Sequence, residues 1–300
     1  MSLLADLASR RFLVVTGKGG VGKSVVSATL GRIASGEGRH TLLLEVDPRE
    51  NLHELLGVAP SGGEVVTAGP ALRLQNLQPR QVLEQVVRDH LRIEWLSKRV
   101  VASPVFEHFV DAAPGLKELA ILGHAYRVLT GKARRQSADL VILDAPATGH
   151  GLSMLTAPQV VSDVIKEGPF GHMAGELAAF IGNAAETGVV VVTQAEEMPV
   201  QEGLELAQRM QLSLGRWPEL LVVNSLYPPV RDRRGSPDSE LTRLWHTRRA
   251  INERELGRLG ALWRGPRVEL PFVPIDRGPA LPTALAPVLR HALAEAEVLV

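Results

Sequence analysis

The densest chemistry in the chain lies in eight consecutive residues, Gly17-Lys18-Gly19-Gly20-Val21-Gly22-Lys23-Ser24. They satisfy the full G-x-x-x-x-G-K-[ST] spacing of a phosphate-binding loop. Gly17, Gly19, Gly20 and Gly22 have no side chains, so the backbone can curl round a phosphate chain and aim N–H groups at it. Lys23 stands where an ammonium reaches β- and γ-phosphates, and Ser24 where a hydroxyl holds magnesium. Val21 and Val25 complete the set expected to touch the nucleotide. Two carboxylates come after buried-looking runs. Asp144 closes Leu140–Leu143, and an acid after such a run, downstream of the loop, binds magnesium directly or through water. Asp47 comes after Thr41–Val46; it is either a helix cap or Asp-Pro turn, or an acid at the ligand edge of a parallel sheet.

These groups need a scaffold that brings strand ends together. Phe12–Thr16 is a short β-branched apolar run, typical of a strand buried on both faces, and Val25–Ile33 continues at helical spacing. Similar runs at Thr41–Val46, Leu140–Leu143, Gly188–Thr193, Leu220–Val223 and Arg267–Val273 predict further strands, with a short one at Leu72–Leu77. Helical patterns fall at 79–94, 116–129, 201–214, 240–259 and 281–300, and at 101–113 with its turn. Gly62–Pro70 reads as a loop of small residues, and Tyr227–Ser239 as a Pro/Arg/Gly-rich loop. There is no internal repeat and no long linker. The alternation predicts one doubly wound α/β domain over residues 1–300, mostly parallel, with helices on both faces and a small helical subdomain. The first two strands should be parallel with a right-handed crossover.

Lys18, directly after the first glycine, makes KGGVGKS resemble the deviant Walker A of the SIMIBI ATPases. DAPATGHG from Asp144 resembles the D-T-A-P-T-G-H switch II signature of ArsA-like ATPases, where partition proteins of the ParA and MinD kind differ. Asp47-Pro48, with Asn51-Leu52 shortly after, resembles the switch I motif of ArsA-like and tail-anchored-protein targeting ATPases, although Arg49 and Glu50 depart from it. LPFVPIDRG resembles the family's adenine loop. The likeness runs from about residue 12 to 280 and is most similar to compact bacterial members with one ATPase half per chain. It implies ATP and Mg2+ as ligands and hydrolysis as the reaction. Asp47 would polarise the attacking water and join Ser24 and Asp144 around the metal. Lys18 would reach a partner subunit's nucleotide, as an arginine finger does. Asn224 would bond the adenine, and Pro271, Phe272 and Val273 would pack near it. The catalytic set is then Lys18, Lys23 and Asp47. The partner would be an identical chain, or a paralogous ATPase beside which this chain serves as a regulatory subunit.

Composition narrows the rest. Formal net charge is zero, with 33 basic and 33 acidic residues, so no global field draws the protein to nucleic acid or anionic lipid. Cysteine is absent, which excludes disulfides, thiolate metal sites and thiol capture of arsenite. The zinc-binding CxxC that staples eukaryotic targeting ATPases has no counterpart. The amino terminus lacks the basic-then-apolar order of a signal peptide, no window is long enough to cross a bilayer, and 281–300 lacks the cationic face of a membrane anchor. A cytoplasmic location is expected.

Ser153–Thr187 bears on the partner. It holds Val160, Val161, Val164, Ile165, Phe170, Met173, Leu177, Phe180 and Ile181 with few charges. In targeting ATPases the helices at this place form a client groove. Such a pair can bind a hydrophobic helix of a client, cover the sheet, or bury itself in a dimer.

Overall fold

The computed structural model describes residues 2–46, 49–91, 99, 102–103, 115–133, 136–146, 150–229 and 239–296. Strand β1 (Phe12–Gly17) is buried along its whole length. Phe12 and Val14 face one apolar core, Leu13 and Val15 the other. A strand that must satisfy two cores reads as an unbroken apolar run, and this one does. It pairs in parallel with β5 (Leu140–Asp144) on one side and β6 (Thr187–Gln194) on the other. β2 (Thr41–Glu45) joins β5, and β4 (Leu72–Asn76) joins β2. β7 (Leu220–Leu226) and β8 (Arg267–Pro271) extend the other side. All these pairings are parallel. β3 (Val66–Gly69) closes one edge antiparallel to β4. The order is β3-β4-β2-β5-β1-β6-β7-β8 in one sheet.

One face carries α1 (Leu3–Ser9), α2 (Lys23–Gly36), α3 (Leu52–Leu56) and α10 (Ala280–Glu295). The other carries α4 (Pro79–Leu91), α5 (Leu116–Leu129), α6 (His150–Val164), α7 (Gly168–Gly182), α8 (Glu197–Leu214) and α9 (Glu240–Leu262). The doubly wound α/β architecture is as expected. β1 and β2 are parallel, but they are not neighbours, because β5 lies between them.

Several details differ from the sequence reading. Gly62–Pro70 is not all loop: Val66–Gly69 forms β3, a half-exposed edge strand paired to β4. Four residues without a continuous apolar run give no local signal, and the pairing partner supplies the order. α8 begins at Glu197 rather than 201, with Pro199 in its first turn, where a missing N–H costs nothing. β7 runs on to Leu226, so Asn224 sits inside it. β8 stops at Pro271, so Phe272 and Val273 have left the sheet. α1 has no counterpart in the sequence reading, although Ser2 caps it and Leu3 and Leu7, one turn apart, are buried. Apart from residues 102–103, the helix read at 101–113 lies outside the described residues, as do 230–238 of the Pro/Arg/Gly-rich loop.

Within 153–187, Met154, Leu155, Ala157, Val161, Ala174, Leu177, Phe180 and Ile181 are buried in the core under the sheet. Val160, Val164 and Ile165 remain exposed at 53%, 78% and 37%. Most of the apolar surface of α6 and α7 therefore covers the sheet, and a small patch faces outward. Among the described residues no helix is long and apolar enough to cross a membrane.

His124 on α5 is packed against Gln75 at the end of β4, with Nε2 2.9 Å from Gln75 Oε1. Burial, aided by the nearby Arg127 guanidinium, pushes its pKa down to about 4. The unfolded chain takes up that proton near pH 6.5. Stability is therefore complete above about pH 6.5 and drains as pH falls toward 4, by roughly 3 kcal/mol. Urea unfolding at pH 7 and pH 4.5 checks this, and the His124→Gln variant should lose that part of the pH slope.

Candidate active site

The phosphate-binding loop leaves β1 at the carboxyl edge of the sheet, beside the ends of β5 and β6. Its geometry is held from both sides. Gly17 has φ +149°, and a Cβ there would lie 2.1 Å from the Val192 carbonyl oxygen. Gly22 has φ +94°, and a Cβ there would lie 2.2 Å from Asn224 Nδ2. Only glycine satisfies both the backbone angle and the contact at these two places. Asn224 Nδ2 also donates to the Val21 carbonyl at 2.9 Å. β6 and β7 thus clamp the loop. α2 starts at Lys23 with no side-chain cap on its first turn. That leaves the first-turn N–H groups and the positive end of the helix dipole for an anion.

The charged groups converge on this turn. Lys23 is 9% exposed, and its Nζ donates to the Lys18 carbonyl at 3.0 Å. Asp144, the last residue of β5, is buried; its Oδ2 accepts from Ser24 Oγ at 2.6 Å and its Oδ1 from Ser27 Oγ at 3.0 Å. Ser27 lies one helical turn after Ser24 on the same face, a spacing legible in the sequence once the helix start is known. Hydroxyl and carboxylate oxygens are the hard donors magnesium prefers, so Ser24 and Asp144 fit the ion assigned to them. Among the described residues no cluster of three or more His, Asp or Glu forms a metal cage of its own.

Lys18 is paired within the chain, with Nζ 2.6 Å from Glu202 Oε1 on α8. Asp47 and Pro48 lie outside the described residues, and so do Ala147–Gly149 of the second motif. The segment just beyond Asp47 and Pro48 is well held. Glu45, at the end of β2 and in register with Asp144, is 1% exposed. Its Oε1 accepts from the Asn51 N–H at 2.6 Å, and its carboxylate also takes the Leu52 N–H at 3.2 Å. Sequence reasoning missed this buried acid, hidden in an apolar run. Glu50 adopts φ +48° and accepts from the Ser61 and Gly62 N–H groups at 2.5 and 3.1 Å. Its departure from the family pattern thus has a structural use. Asn51 Oδ1 accepts from Arg277 Nη2 at 2.6 Å, and Arg277 also pairs with Glu54 at 2.8 Å.

Asn224 is buried with its amide nitrogen committed to the loop. Phe272 stacks on Tyr227, centroids 5.2 Å apart and 7° from coplanar, and Trp245 stands edge-on to both. Pro271 ends β8, and the Phe272 N–H donates to the Leu226 carbonyl at 2.7 Å. Tyr227 and Trp245 come from separate elements, and nothing in their sequence spacing brings them together.

A glycine loop between β1 and α2, with a serine and a strand-end aspartate in contact, defines a P-loop protein of the doubly wound α/β class. Residues 10–178 match the family model described as anion-transporting ATPase, and the chain belongs to this ArsA-type ATPase family. ATPase BagA of Mycobacterium tuberculosis is 28% identical over 219 residues, covering 70% of this chain and 64% of its own length. An arsenical pump-driving ATPase of Acidiphilium multivorum is 26% identical over 245 residues, covering 76% of this chain and 41% of its own. ATPase ASNA1 homolog 2 of Paramecium tetraurelia is 25% identical over 156 residues, 51% of this chain and 46% of its own length. The matches thus span less than two thirds of the length of these curated relatives.

Proposed function

We propose that the chain is a magnesium-dependent ATP hydrolase that works as a nucleotide-controlled dimeric switch. The observation that carries this is the Ser24–Asp144 contact at the amino end of α2, directly beside the buried Lys23. The family names support ATP as the substrate. The loop N–H groups and Lys23 hold the β- and γ-phosphates. Ser24 and Asp144 hold the ion, and bound magnesium offsets charge that develops on the transferring phosphoryl group. Asp47 orients the attacking water, and Lys18 of a second subunit completes the charge compensation in trans. Asn224 offers the base its remaining amide oxygen, with Pro271, Phe272 and Val273 alongside. The products are ADP and phosphate.

The partner is an identical or a paralogous chain. The exposed Val160, Val164 and Ile165 favour one second reading, a targeting factor that binds a hydrophobic helix of a client and uses ATP as a conformational signal. Phosphate release at several protein concentrations tests the switch. Turnover per subunit should rise with concentration and vanish with EDTA. Turnover that is independent of concentration, or that survives EDTA, contradicts it.

A further inference from the structure

We propose that Glu202 is the resting counter-ion of Lys18: it holds the loop cation on its own subunit and releases it when a second subunit closes. The inference rests on the proposed trans role of Lys18. It goes further in naming what occupies that lysine beforehand.

The contact is specific. Lys18 comes directly after Gly17, the last residue of β1, which is paired in register with Val192 of β6, so the side chain starts from a fixed point on the sheet. From there Nζ reaches Glu202 Oε1 at 2.6 Å, a charge-assisted hydrogen bond 184 residues away in sequence. Lys18 is tied a second time through its carbonyl, which accepts from Lys23 Nζ. The residue that would serve the neighbouring site is thus bonded at both ends within its own subunit.

The contact is also releasable. The two side chains are 32% and 28% exposed. Glu202 lines an open groove of about 420 Å³ between α6 and α8, with Ser153, Thr156, Glu205 and Arg209. Water can therefore replace either partner, and neither charge is stranded when the pair parts. A buried pair would lock the loop; a half-exposed one biases it. Such pairs contribute about 0.2–1 kcal/mol in double-mutant cycles. That is a factor of about 1.4 to 5 in the occupancy of the state in which Lys18 is free. A contact that stabilises only the open state lowers apparent affinity for the closed one by the same factor. Glu202 is therefore a positioning residue that acts through Lys18 and has no part in the bond-breaking step.

A double-mutant cycle tests it: ATP turnover of wild type, E202Q, K18A and the double variant, at protein concentrations below saturation of dimer formation. Sedimentation equilibrium with a non-hydrolysable ATP analogue and magnesium gives dimer affinity independently of chemistry. E202Q should raise turnover by about 1.4- to fivefold and tighten the nucleotide-bound dimer by a similar factor. Neither change should appear in the K18A background. Wild-type behaviour of E202Q overturns the proposal. So does a fall as deep as that of K18A, which would make Glu202 part of the closed state. An equal rise in the K18A background also overturns it, because the effect would not pass through the lysine. Wild-type turnover of K18A itself is a separate outcome, and it removes the trans role on which the inference stands.

Discussion

Lys23→Ala should abolish ATP turnover, by about 10²–10³-fold, while leaving a folded protein. Lys23 is the first residue of α2 and is almost fully buried, with its ammonium on a loop carbonyl. A buried ammonium is tolerated only where it gains something comparable. The loop carbonyl supplies part of that, and phosphate oxygens would add to it when nucleotide binds. Alanine removes the charge aimed at the β- and γ-phosphates and keeps helix propensity at the first turn. Thermal unfolding should shift little, whereas phosphate release falls to background. A variant that unfolds like the wild type and still turns over normally would show that Lys23 does not touch the transferring group.

Asp144→Asn should weaken magnesium-dependent nucleotide binding by about 10–100-fold, the range seen when metal-site carboxylate partners are changed. Asp144 ends β5 with both oxygens engaged, one by Ser24 and one by Ser27. Asparagine keeps the shape but replaces one acceptor with a donor and removes the charge. One serine hydroxyl then faces an N–H₂ group and has to accept where it donated before. The effect should appear in titrations of magnesium at fixed ATP and be far smaller for nucleotide without metal. Equal weakening with and without magnesium would reassign Asp144 to loop support alone.

The fold is legible wherever a segment carries its own reason for being ordered. β1, β2, β5, β6 and β7 are unbroken aliphatic runs because both faces are buried, and a run of that kind needs no partner to be recognised. α5 begins and ends where the sequence places it, between Gly115 in a left-handed turn and Thr130. Segments whose order comes from elsewhere are harder to read. β3 exists because β4 offers a free edge, and its own residues alternate too weakly to announce it. The sequence ends its fifth long strand at Asn224, whereas pairing with β8 carries that strand on to Leu226.

The site divides in the same way. Gly17, Gly22, Lys23 and Ser24 can be named from sequence because they fall at the fixed spacing of a phosphate-binding loop, and Asp144 because it closes an aliphatic run downstream of it. Glu45, Glu202, Tyr227 and Trp245 cannot, and Ser27 can only once the start of α2 is known. Their roles come from contacts with residues far away in the chain, or from burial beside another strand end, as with Glu45 next to Asp144. Arg277 illustrates the point. In the sequence it is one letter of a motif, yet in the fold it ties the loop after β8 to Asn51 and Glu54, a few residues beyond Asp47 in the chain.

Isothermal titration calorimetry of ATP and of ADP, each with magnesium and with EDTA, tests the central claim most directly. Saturable adenine nucleotide binding that magnesium strengthens, and that Lys23→Ala and Asp144→Asn weaken, is the predicted result. No measurable heat of binding from a folded protein, in the presence of magnesium and over the millimolar range, would contradict it.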